Sequence, residues 1–114
     1  MPAAVPVPTA TAPTPLLSVV VPVRNEGPNI LPLIAEIRAA LAAAPDGPIA
    51  HEIVYVDDGS TDDTAQRLEE AAAQGAPLRA LRHRTSCGQS AAIVTGVKAA
   101  RGTWIATLDG DGQN

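Results

Sequence analysis

Four short apolar runs alternating with three segments of helical periodicity predict an α/β protein, a Rossmann-like parallel sheet with helices on both faces. The composition agrees. Hydrophobic residues make up 46% of the 114-residue chain, yet there is no Phe, one Tyr and one Trp. The core must therefore be built from Ala, Val, Leu and Ile, as in helices packed on a buried sheet. The connections between runs are short, and right-handed crossovers between parallel strands leave few other topologies. The length suits one domain or a fragment of one and leaves no room within these residues for a separate substrate domain.

Residues 1–15 contain Pro2, Pro6, Pro8, Pro13 and Pro15 among Ala, Thr and Val. Proline removes backbone donors and blocks both helix and ladder pairing, so this stretch is expected to be a disordered arm ahead of a domain over 16–114. The first strand is Leu16 to Val23, β-branched and apolar on both faces, with Pro22 marking its carboxyl end. Arg24 to Pro28 is a loop. Ile30, Leu33, Ile34, Ile37 and Leu41 then recur at helical spacing, and Pro32 fits that helix only in its first turn.

Ala44 to Pro48 breaks the helix, and Glu52 to Asp57 reads as the second strand. Asp58-Gly59 turns the chain. Ser60 or Thr61 is expected to cap a second helix that carries Asp62 and Asp63 in its first turn, where acidic charge suits the helix dipole, and that stops at Gly75. Leu78 to Leu81 is a short third strand, Gly88 to Ala100 a third helix, and Thr103 to Leu108 a buried fourth strand. Gly96 within the third helix is expected to permit close packing on the sheet.

Charge and cysteine usage narrow the function. The formal net charge is -4, with 8 Lys and Arg against 12 Asp and Glu; no basic footprint points to nucleic acid. A single Cys87 cannot form an internal disulfide, which fits a reducing compartment, and a small buried side chain is the expectation for it. His51 and His83 lack metal-ligand spacing and are expected to be partly exposed at strand edges. No apolar stretch approaches the ~20 residues of a membrane span, and no basic start followed by an apolar core marks a signal peptide.

In open α/β sheets ligands bind beyond the carboxyl ends of the strands. Three such ends carry polar groups here: Arg24-Asn25-Glu26, Asp57-Asp58, and Asp109-Gly110-Asp111. Taken alone, Asp57-Asp58-Gly59-Ser60 reads as a turn with a cap. Convergence at one crevice changes that. Alternate carboxylates can chelate a hard divalent cation, and acids facing a diphosphate require one, because like charges at close range repel by about 1 to 4 kcal/mol. Mg2+ or Mn2+ is the expected cofactor. Other readings of the acids fail: an EF-hand would need a glycine where Asn114 stands, and a phosphoacceptor receiver would need an acidic pair after the first strand. No G-x-G-x-x-G or G-x-x-x-x-G-K-[ST] occurs.

Four ordered motifs carry a family resemblance: Val20-Val21-Pro22-Val23-Arg24-Asn25-Glu26; Ile53 to Asp62; Gly88-Gln89-Ser90-Ala91-Ala92 with Gly96; and Ala100-Arg101-Gly102 before Leu108 to Gln113. From Leu17 to Asn114 the chain resembles the family 2 glycosyltransferases, of GT-A fold, and within them the dolichol-phosphate mannosyltransferase and polyprenyl-phosphate glycosyltransferase type. The resemblance implies a UDP- or GDP-linked nucleotide sugar as donor and a polyprenyl phosphate as acceptor. Pro22, Arg24 and Glu26 would line the base pocket, and Asp57 or Asp58 would contact the base or its ribose. Asp109 and Asp111 would be the D-x-D pair at the metal, with Gly110 between them and Gln113 the polar residue that follows. Gln89 and Ser90 are expected to start the third helix rather than to touch ligand.

The same resemblance implies the nucleotide-binding half of the enzyme, cut off after the D-x-D and inactive in transfer by itself, in the cytoplasm or at the cytoplasmic face of a membrane. A standalone nucleotide-sugar binding module and a degenerate non-catalytic fragment are the alternatives.

Overall fold

The computed structural model describes residues 15–110. The expected disordered arm, apart from Pro15, and the expectations for Asp111 and Gln113 fall outside the described residues. The elements run β1 (Leu17–Val23), α1 (Gly27–Ala42), β2 (His51–Asp58), α2 (Thr64–Ala73), β3 (Leu78–His83), α3 (Gln89–Ala99) and β4 (Trp104–Thr107). All pairings are parallel, in the order β3-β2-β1-β4. The chain steps outward from β1 to β3 and then crosses back to the far side of β1. That reversal is the topological switch point at which α/β sheets open a crevice.

Alternation along the central strands divides the core. Val19, Val21, Val23, Ile53 and Tyr55 face α1 and α2, where Ile30, Leu33, Ile34, Ile37, Leu68 and Ala71 close over them. The other face receives α3 through Ala92 and Gly96. A Cβ on Gly96 would lie 2.4 Å from Val20 Cγ1 and 3.2 Å from Val56 Cγ2, so glycine lets the helix backbone sit directly on the sheet. The Rossmann-like sheet with helices on both faces is thus present.

A buried polar network closes the amino-terminal ends of the strands. Glu52 accepts from the Ser18 hydroxyl (2.6 Å), the Arg101 N–H (2.7 Å) and Arg79 Nε (3.1 Å), while the Gly102 N–H donates to Ser18 Oγ (2.8 Å). One carboxylate therefore ties β1, β2 and β3 to the turn that launches β4. Burial alone would raise the Glu52 pKa, but the bonds from Ser18, Arg101 and Arg79 outweigh it and hold it below its ordinary value.

Several local expectations are corrected. The first helix begins at Gly27, so Pro28 occupies its first turn and Pro32 lies inside it. The second helix begins at Thr64 with Asp63 at its N-cap, so Asp62 and Asp63 precede it. Ser60 and Thr61 are drawn to the β1–α1 loop instead of capping it. Among the described residues the fourth strand, expected to be buried, pairs with β1 alone, and Trp104 is 67% and Ile105 44% exposed. Among the described residues, no helix is long and apolar enough to cross a membrane.

Candidate functional site

The carboxyl ends of β1, β2 and β3 are locked together by their loops. Asn25 takes a positive φ of 55°, a conformation in which asparagine is over-represented, and this turns its side chain toward the β2–α2 loop. Its Oδ1 accepts from the N–H groups of Thr61 (2.7 Å) and Asp62 (3.2 Å), and its own N–H donates to Ser60 Oγ (2.8 Å). The Glu26 N–H donates to Thr64 Oγ1 (3.0 Å) and the Gly27 N–H to Asp62 Oδ2 (3.1 Å). Gly59 carries the second loop across the third at φ 73°, where a Cβ would meet Ser86 N at 2.6 Å. Only glycine satisfies both the angle and the approach.

Proline at position 22 fits the same place. Val20 accepts from the Leu108 N–H at 3.0 Å, so alternate residues of β1 turn their backbone groups toward β4. The β4 ladder ends opposite Val20. The missing N–H of Pro22 therefore points where no ladder partner stands. Gly110 returns close by: a Cβ there would lie 2.3 Å from Val23 Cγ1 and 2.9 Å from the Pro22 carbonyl oxygen.

A cleft of about 340 Å3 opens at this point, lined by Pro22, Val23, Arg24, Glu26, Asp58, Ser86, Gly88, Gln89, Ala92, Asp109 and Gly110. The structure thus brings together Pro22, Arg24, Glu26, Asp58, Asp109 and Gly110. Asp57 is not among the lining residues. It is buried on the other face of β2, where its Oδ1 accepts from the Ser60 N–H (2.9 Å) and its Oδ2 lies 3.8 Å from Arg82 Nε.

Asp58 is held from four directions. Its Oδ1 accepts from the Cys87 N–H (2.8 Å) and lies 2.7 Å from His83 Nδ1; its Oδ2 accepts from Ser86 Oγ (2.9 Å) and the Gly88 N–H (2.9 Å). Burial alone would raise its pKa, yet the bonds from Cys87, His83, Ser86 and Gly88 prevail and hold the carboxyl well below the usual carboxylate range. This side chain shapes the cleft wall formed by residues 86–88. His83 also reaches Thr95 Oγ1 through Nε2 (2.8 Å), so it is a bridge between β2, β3 and α3 and not a plain strand-edge residue. Cys87, expected to be buried, is exposed because its backbone rather than its thiol faces Asp58.

Three residues to which sequence reasoning gave no part in the site contribute here: Asn25, His83 and Gln89. Gln89 starts α3 as expected, and it also lines the cleft and donates through Nε2 to Asp109 Oδ1 (3.2 Å). Asn25 before a helix was the one with a readable signal, as the residue type that accepts positive φ.

Among the described residues, three carboxylates and one guanidinium line the cleft. A polyanion would be repelled by that balance, whereas an oxygen-seeking divalent cation at the Asp109 corner would relieve it.

Comparison with known proteins places this geometry. The family model described as glycosyl transferase family 2 matches residues 18–114. The dodecaprenyl-phosphate galacturonate synthase of Rhizobium johnstonii is 40% identical over 99 residues, covering 86% of this chain and 28% of the relative. The dolichol-phosphate mannosyltransferase of Mycosarcoma maydis is 32% identical over 106 residues, 92% of this chain and 36% of the relative. Among solved structures, the mannosyltransferase PcManGT from Pyrobaculum calidifontis, in complex with GDP-Man and Mn2+, superposes with a TM-score of 0.66 at 27% identity, over 85% of this chain and 28% of that one. The chain thus spans about a third or less of the length of these relatives.

Proposed function

The chain belongs to glycosyl transferase family 2, and on that premise we propose that residues 16–114 bind the nucleotide part of a sugar donor in the cleft between the ends of β1 and β4. The observation that carries this reading is the position of Asp109, at the corner of a 340 Å3 cleft on the topological switch point. Pro22, Arg24 and Glu26 flank the nucleoside side. Asp58 faces it through the wall it holds, and Asp57 supports the neighbouring loop through Ser60.

Asp109 and Asp111 are the residues to hold Mg2+ or Mn2+, with Gly110 keeping the backbone close to β1 and Gln113 following in sequence. An ion held there would neutralise charge on a leaving diphosphate. Gln89 holds the Asp109 carboxylate in place. The solved relative carrying GDP-Man and Mn2+ supports this assignment.

The reaction we infer for the family member as a whole is transfer of the sugar to a polyprenyl phosphate. The bond from the anomeric carbon to the nucleoside diphosphate breaks and one to an acceptor phosphate oxygen forms. An acceptor phosphate is already anionic and needs no general base. Support comes from the names of the relatives that use dodecaprenyl and dolichol phosphates. Such an acceptor is a lipid, which favours a position at the cytoplasmic face of a membrane. Because the chain spans 28% of the first of those relatives, residues 1–114 alone are expected to bind donor without transferring sugar.

Thermal shift with UDP, GDP and their sugars, with and without Mn2+, tests the donor site, since a ligand that binds only the folded state raises stability. A shift that needs both metal and nucleotide supports it. No shift with any of them overturns it. Sugar transfer to a polyprenyl phosphate by the 114-residue protein would overturn the binding-only reading.

A further inference from the structure

Asp58 lines the same cleft as Asp109, but the cluster of Asp58, His83 and Cys87 differs from the Asp109 corner in donor chemistry. We propose that these three side chains form a site for a soft divalent metal ion of the Zn2+ type on the wall of the cleft. One ligand atom from each lies within 4.8 Å of the others. Asp58 and His83 are register partners at the ends of β2 and β3, and the β3–α3 loop folds back to bring Cys87 over them. The fold therefore assembles the set from two strand ends and one loop.

An oxygen, a nitrogen and a sulfur donor suit Zn2+, whereas Mg2+ and Ca2+ take oxygen ligands. A carboxylate and a thiolate also balance the charge of the ion. Supporting contacts of the kind that orient metal ligands are in place. Thr95 Oγ1 lies 2.8 Å from His83 Nε2, and Ser86 Oγ and the Gly88 N–H hold the carboxylate from its far side.

The ion enters where a proton now sits. A carboxylate offers about four lone-pair sites; three are held by Ser86, Cys87 and Gly88, and the fourth is shared with His83 Nδ1 at 2.7 Å. Replacing that proton by Zn2+ requires the two atoms to part to roughly 3 Å or more, given Zn–N and Zn–O bonds of about 2.0 to 2.2 Å. The Cys87 thiol, now weakly bonded to the Thr85 carbonyl oxygen at 3.4 Å, turns inward. A neutral His83 shifts its proton from Nδ1 to Nε2, where Thr95 Oγ1 accepts it. Cys87 releases its proton to solvent. One proton thus leaves per ion bound, and a water completes the fourth position on the exposed side of Cys87.

The test titrates metal-free 114-residue protein with Zn2+ against a chromophoric chelator, and in parallel with Co2+. One Zn2+ per chain is expected, together with a thiolate-to-cobalt charge-transfer band. Cys87→Ser should abolish the band, and Cys87→Ser and His83→Gln should each weaken Zn2+ binding by ~10-fold or more, while Thr95→Val weakens it less. Thermal unfolding of each variant separates loss of ligand from loss of fold; Cys87 is exposed, so its variant should melt as the parent does. Asp109→Asn should leave Zn2+ binding intact, so the site stands or falls apart from nucleotide binding. No stoichiometric Zn2+ uptake, or uptake that survives both Cys87→Ser and His83→Gln, would overturn it.

Discussion

Gln89 Nε2 donates to Asp109 Oδ1 at 3.2 Å, joining the first residue of α3 to the end of β4 across the mouth of the cleft. The donor helps to position this carboxylate at the cleft. Gln89→Ala should lower metal-dependent nucleotide affinity by about 3- to 10-fold, since an exposed bond to a charged group contributes on the order of 1 kcal/mol. Gln89→Glu would place a second carboxylate there and should raise Mn2+ affinity. Mn2+ titration followed by electron paramagnetic resonance checks both; unchanged binding in both variants would remove Gln89 from the site.

Gly96 sets how closely α3 approaches the sheet. Alanine gains about 1 kcal/mol of helix propensity. Its Cβ, however, would stand 2.4 Å from Val20 Cγ1 in a core of β-branched residues, and overpacking of that kind costs about 1 to 3 kcal/mol. The clash wins, so Gly96→Ala should lower the urea midpoint. A raised midpoint would mean that α3 does not sit where described.

Tyr55 is fully buried, and its hydroxyl has no hydrogen-bond partner among the described residues. An orphaned polar group opposes folding by about 1 to 3 kcal/mol, and burial pushes the phenol pKa up as well. Tyr55→Phe should therefore leave stability unchanged or raise Tm. A clear fall in Tm would show that the hydroxyl finds a partner in solution.

Acid should unfold the domain through Glu52 and Asp58. Both have folded pKa values lowered from the ordinary ones, so each contributes stability that is fully present above the unfolded value, about 4, and is lost as pH falls below it. Stability should be flat from pH 7 to about 5 and then drop. Glu52→Gln should be less stable at pH 7 and show a shallower acid slope. An acid slope identical to that of the parent would contradict the network around Ser18, Arg79 and Arg101.

Much of the fold was legible because it follows from local patterns. Valine-rich runs identify β1 and β2, and helical spacing from Ile30 to Leu41 identifies α1. Arg24, Glu26, Asp58, Asp109 and Gly110 could be grouped from their places at strand ends, and Pro22 from the family resemblance. What stayed hidden depends on contacts distant in sequence. Asn25 meets Thr61 and Asp62 across 36 and 37 residues, and Asp58 meets Ser86 to Gly88 across 28 to 30. Asp57 and Asp58 are adjacent, yet strand alternation sends one to each face of the sheet, and only tertiary packing decides which face meets the cleft.

The proposed donor site is metal-dependent and centred on Asp109. Isothermal titration of GDP and UDP into the 114-residue protein, with Mn2+ and then with chelator, tests it most directly. Binding of one of them in Mn2+ that disappears with chelator, and that Asp109→Ala weakens by at least ~10-fold, is the predicted result. Equal affinity with chelator present, or an Asp109→Ala protein that binds as the parent does, would contradict it.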